Sequence, residues 1–120
     1  MTIFDLQKCR EIVAGDRTIL RELFNPLKQD LQLRCSLAHA RVKPGQITRL
    51  HKLKTSEVYY ILEGTGEMHI NDETEAVHTN QAIYIPPGSH QRIKNTGGGE
   101  LVFLCIVDPA WRQEDEEVLE

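Results

Sequence analysis

The stretch Gly45-Gln-Ile-Thr-Arg-Leu-His51-Lys-Leu53-Lys-Thr-Ser-Glu57-Val-Tyr59-Tyr-Ile-Leu-Glu-Gly64 sets a histidine and a carboxylate six positions apart within a frame of two glycines. In an extended chain successive side chains alternate between the two faces of a sheet, so His51, Leu53, Glu57 and Tyr59 can look to one side. An imidazole nitrogen and a carboxylate oxygen facing one cavity suit a divalent cation such as Mn, Fe, Ni or Zn. Leu53 stands where a further ligand could have been.

The surrounding chain reads as short strands between turn residues. From Leu31 onward, Leu31, Leu33, Cys35, Leu37 and His39 share one parity, while Ser36, Ala38, Ala40 and Val42 share the other, which predicts a strand covered on both faces. Pro44-Gly45 ends it, Gly64-Thr-Gly66 bends the chain after Val58 to Leu62, and Asn71-Asp72-Glu73 predicts a hairpin. Further runs lie at Ala82 to Ile85, Gln91 to Asn95 and Leu101 to Val107. Short runs of this kind at regular spacing predict an antiparallel barrel or sandwich. In residues 1–30 the helical spacing of Leu20, Leu23, Phe24 and Leu27 is interrupted by Asn25-Pro26, and the segment reads as strand pieces and loops.

A second stretch, Asn80-Gln-Ala-Ile-Tyr-Ile-Pro86-Pro-Gly88-Ser-His90-Gln91-Arg-Ile-Lys-Asn95, completes the pattern. The first stretch resembles the cupin motif G-x5-H-x-H-x3-4-E-x6-G at every fixed position but Leu53, and the second resembles the cupin motif G-x5-P-x-G-x2-H-x3-N. Counting forward from Pro86 and Gly88, or back from Asn95, puts Gln91 rather than His90 in the histidine slot. Asn80 replaces the second motif's leading glycine, and asparagine tolerates the left-handed backbone better than other residues with a side chain.

The resemblance covers residues 38–108 and implies a small single-domain cupin. The expected fold is an all-β, antiparallel double-stranded β-helix (jelly roll) with a short N-terminal strand and turn extension. Its core would span about residues 31–108 of one domain, 1–120. The family pattern also implies three histidines and a glutamate around a metal. Carried over by position, it gives His51 and Glu57 as matches, Leu53 as a loss and Gln91 as a replacement whose amide oxygen is a weaker donor. His39 is a candidate helper on the preceding strand, its alternative a core or interface histidine. Tyr59 is a candidate acid or hydrogen-bond donor beside Glu57, its alternative packing. His90 reads as a rim histidine, and His69 and His78 as exposed.

The chain has 120 residues, enough for one domain with a core. With 14 Lys and Arg against 18 Asp and Glu, the net charge of -4 argues against a nucleic-acid partner. Arg49, Lys52 and Lys54 beside His51 read as the outward face of a strand, with an anionic ligand as the alternative. Cys9, Cys35 and Cys105 read as reduced, mostly buried thiols. No run approaches the ~20 apolar residues of a membrane span, and the expectation is a cytoplasmic protein. The acidic tail Gln113 to Glu120 reads as a solvated helix end or frayed terminus. Two functions remain: a metal-dependent enzyme acting on a small oxygen-rich molecule through His51, Glu57 and Gln91, or a non-catalytic small-molecule or sugar-binding barrel. Outward Tyr60 and Leu62 predict a homodimer.

Overall fold

The computed structural model describes residues 1–120 as two antiparallel sheets. Eleven strands form in chain order: β1 (Glu11–Val13), β2 (Ile19–Phe24), β3 (Ser36–Val42), β4 (His51–Leu53), β5 (Ser56–Glu63), β6 (Thr65–Ile70), β7 (Glu73–His78), β8 (Ala82–Ile85), β9 (Gln91–Asn95), β10 (Leu101–Asp108) and β11 (Glu116–Val118). The larger sheet runs β1-β2-β3-β10-β5-β8 and the smaller β11-β4-β9-β6-β7. This is the expected jelly roll. No helix is long and apolar enough to cross a membrane.

The two sheets close on one core. Ala40, Tyr59, Ile61, Ile85 and Phe103 come from the larger sheet and Met68, Val77 and Ile93 from the smaller. β10 lies at the centre, where Phe103 stands opposite Ala40 on one side and Ile61 on the other. A small residue beside a large one lets the inward layer interdigitate. The Phe103 ring packs tilted on Tyr59, with centroids 4.4 Å apart.

Turn chemistry follows the sequence. Asn80 has φ 72° and Asn71 φ 52°, both left-handed positions that asparagine tolerates. Gly64 has φ 92°, and a Cβ there would lie 2.8 Å from the Glu100 carbonyl oxygen, so both backbone angle and space require glycine. Asn95, which closes the second motif, is fully buried. Its Nδ2 donates to the carbonyls of Val42 and Gly99, and its Oδ1 accepts from Gly97 N–H.

Three expectations are corrected. The strand expected from Leu31 begins at Ser36, because residues 31–35 run as an irregular connection. The acidic tail is not frayed: Asp115 is buried against Arg112, and Glu116 to Val118 pair with Leu53 to His51 as β11. His69 is half-buried rather than exposed, its Nε2 2.9 Å from Glu67 Oε1. Of the cysteines, Cys105 is buried and Cys9 and Cys35 are half-buried, all with free thiols.

Candidate functional site

β4 and β9 are joined by the pair His51↔Gln91, which sets the first motif's histidine beside the second motif's Gln91. β5 brings Glu57 and Tyr59 onto the same interior face, in line with the alternation of the first motif. His51, Leu53, Glu57 and Tyr59 all line a cavity of about 230 Å³ at one end of the barrel. Gln91, 1% exposed, lies behind Tyr59.

The polar contacts are directional. Tyr59 donates its hydroxyl proton to Gln91 Oε1 at 3.1 Å. Glu57 is 6% exposed, and its Oε1 has no hydrogen-bond partner. Burial raises its pKa to about 8, against the lowering effect of Gln91 and with further upward pressure from Asp16 and Glu116. At neutral pH Glu57 therefore keeps its proton. Burial, followed by the charge of Glu57, pushes the Tyr59 phenol well above its ordinary value, so Tyr59 is a fixed donor.

His51 Nδ1 lies 2.8 Å from the Arg49 carbonyl oxygen, which can only accept, so Nδ1 is the donor. The other nitrogen, Nε2, faces Asp16 Oδ2 at 3.6 Å. Asp16 is held in turn by Thr18, whose backbone N–H and hydroxyl both donate to Oδ1, at 3.0 and 2.8 Å. Opposite Leu53 in the β4–β11 register stands Glu116, which also lines the cavity. Burial raises the Glu116 pKa, an effect opposed by His51 and by the hydrogen bond from Trp111 Nε1 at 3.2 Å. The position that Leu53 denies to an imidazole thus has a carboxylate across from it.

Asp16 and Glu116 were not legible as site residues. One lies in a short turn after Gly15 and the other in an acidic tail, and nothing in their local pattern marks burial. Both reach the cavity through long-range pairing: Arg49 N–H donates to the Asp16 carbonyl, and β11 pairs with β4.

His39 is a correction. β3 turns Ser36, Ala38, Ala40 and Val42 inward, and His39 has the opposite parity. It stands on the outer face with Arg21, its cross-strand partner, and Arg41; partial burial, then these two cations, lower its pKa. It cannot join the cavity. His90 is exposed, as expected for the rim, and so is His78.

A cupin-domain family model matches residues 38–107. The chain belongs to the cupin family. An uncharacterized protein of Methanocaldococcus jannaschii is 40% identical over 122 residues, covering 97% of this chain and 93% of the relative. A mannose-1-phosphate guanylyltransferase of Sinorhizobium fredii is 38% identical over 106 residues, covering 88% of this cupin and 17% of that much longer enzyme. The structure of Pac13, a nucleoside dehydratase from Streptomyces, superposes with a TM-score of 0.80 at 15% identity, covering 100% of this chain and 92% of Pac13. That likeness is one of fold.

The metal set implied by the resemblance does not fit the donors of this cupin. Leu53 is buried in one ligand position, and neither Gln91, whose oxygen accepts from Tyr59, nor the outward His39 lines the cavity. No three His, Cys, Asp or Glu side chains come close enough together to hold a metal ion.

Proposed function

We propose that this cupin binds a small oxygen-rich molecule in the cavity above Glu57, without depending on a metal. The observation that carries the reading is Glu57 itself: a buried carboxyl, lining the cavity, with one oxygen left without a partner. A buried polar atom without a partner costs about 1–3 kcal/mol, and a bound molecule that hydrogen-bonds it recovers that cost. Tyr59 and Gln91 are held by their own hydrogen bond next to it, while Leu53 and Val107 supply apolar wall. A cavity of this kind, mostly apolar with a few convergent polar groups, is the usual form of a small-molecule site. The relative named for mannose 1-phosphate supports an oxygen-rich ligand.

Glu57 holds a proton at neutral pH and lines the same cavity as the His51 imidazole. The pair can hold or pass a proton at the bound molecule. The test is ligand-induced thermal stabilisation of tag-free protein against a panel of sugars, hydroxy acids and amines, wild type beside Glu57→Gln and His51→Ala. Stabilisation by one class, weakened in both variants, is the expected result. Elemental analysis of the same preparations is the counter-test. Stoichiometric Mn, Fe, Ni or Zn in the wild type, lost in both variants, would overturn the metal-independent reading.

A further inference from the structure

The donors of the cavity wall are nearly all engaged, and its acceptors are not. Thr18 gives its hydroxyl proton to Asp16, Tyr59 to Gln91, and Trp111 its indole N–H to Glu116. His51 Nδ1 is directed at Arg49. Lys28, the one Lys or Arg lining the cavity, is held by Glu22 at 2.8 Å and lies over the Trp111 ring at 5.8 Å, with its side chain 56% exposed at the mouth. The uncommitted donors are all uncharged: the Ser36 hydroxyl, the Cys105 thiol and the proton that Glu57 retains at neutral pH. Facing them are Asp16 Oδ2, Glu116 and the unpartnered carboxyl of Glu57, which is more than nine-tenths buried.

We infer that the cavity selects a small organic cation, a molecule that presents an ammonium group to Asp16 and Glu116 beside the buried Glu57 carboxyl. This rests on the small-molecule reading above and names the charge of the ligand. Asp16, Glu22 and Glu116 line the cavity beside the protonated Glu57, against one lysine that Glu22 already pairs. An anionic ligand would meet carboxylates with no free cation to offset them, a juxtaposition that disfavours binding. A metal ion needs donors converging to about 2.0–2.2 Å, whereas an ammonium hydrogen-bonds acceptors at about 2.7–2.9 Å and tolerates wider spacing. The carboxyl groups here fail the first requirement.

The test uses two matched series at constant ionic strength: glucosamine, glucose and glucuronate, and 1,4-diaminobutane, 1,4-butanediol and succinate. Affinities are measured by calorimetry for wild type, Asp16→Asn, Glu116→Gln and Glu57→Gln, with circular dichroism to verify folding. The ammonium member of at least one series is expected to bind tenfold or more tighter than its neutral counterpart. Asp16→Asn and Glu116→Gln should each weaken it at least fivefold and leave the neutral member within twofold. Glu116→Gln, on a partly exposed strand, keeps the test alive if Asp16→Asn fails to fold. Tightest binding by glucuronate or succinate overturns the inference. Binding of glucose or butanediol that Glu57→Gln abolishes, with no preference for the amine, overturns it while leaving the small-molecule reading standing. No binding by any member of either series overturns both.

Discussion

Replacing Glu57 by Gln isolates the cost of burying an ionisable carboxyl. Glu57 has an ordinary pKa of 4.5 and a folded-state value of about 8, raised chiefly by burial. At 1.36 kcal/mol per unit, the difference of about 3.5 units corresponds to about 5 kcal/mol between the two ends of the titration. The folded protein retains a proton that the unfolded chain releases above pH 4.5, so the unfolded state binds fewer protons in this window. Stability therefore falls as pH rises from about 4.5 to about 8 and levels off above that. Glutamine is nearly isosteric and does not ionise. The difference in unfolding free energy, Glu57→Gln minus wild type, should grow by about 3.5 kcal/mol between pH 5 and pH 8 and then flatten. Urea denaturation at pH 5, 6, 7, 8 and 9, with both proteins in the same buffers, measures this difference; other titrating groups cancel. A difference that stays constant within about 1 kcal/mol across the series would refute a carboxyl held protonated by burial.

Phe103→Ala removes a fully buried ring from between the sheets and should cost about 3–5 kcal/mol in urea unfolding. Gly64→Ala forces a Cβ to within 2.8 Å of the Glu100 carbonyl at φ 92°, and should lower stability by about 2 kcal/mol or more, seen as a reduced Tm. The proposed homodimer, resting on outward Tyr60 and Leu62, predicts a sedimentation mass of about twice 13.7 kDa that Leu62→Glu returns to the single-chain value; a wild-type mass of 13.7 kDa would rule it out.

The barrel was legible because its signals are local. Glycines and asparagines stand where the backbone turns left-handed, and alternation along residues 51–59 fixes which side chains share the interior. Counting from Pro86 and from Asn95 places Gln91, and its pairing with His51 follows from the same register. His39 was misread for a definite reason. Alternation says that Leu37 and His39 oppose Ala38 and Ala40, but both sets contain apolar residues, so the pattern does not say which set faces in. The side carrying small residues packs beneath Phe103, and the other faces outward. Asp16 and Glu116 were hidden because their burial depends on partners far along the chain. An acidic run looks the same in sequence whether it is solvated or paired as a third strand residue would be; here the difference is made by β4.

Asp16 and Glu116, positions 16 and 116, are a hundred positions apart in the chain and line the same cavity. β1 and β11 are three-residue strands at the edges of their sheets, the kind of element that opens first in a folded domain. Asp16 stands in the turn between β1 and β2, and Glu116 opens β11, so both carboxyl groups adjoin edge strands. Closing the longest loop in the molecule is an entropic cost that the empty protein bears alone and a bound molecule shares. Occupancy of the cavity should accordingly slow hydrogen exchange most at residues 11–18 and 116–118, far more than in β10.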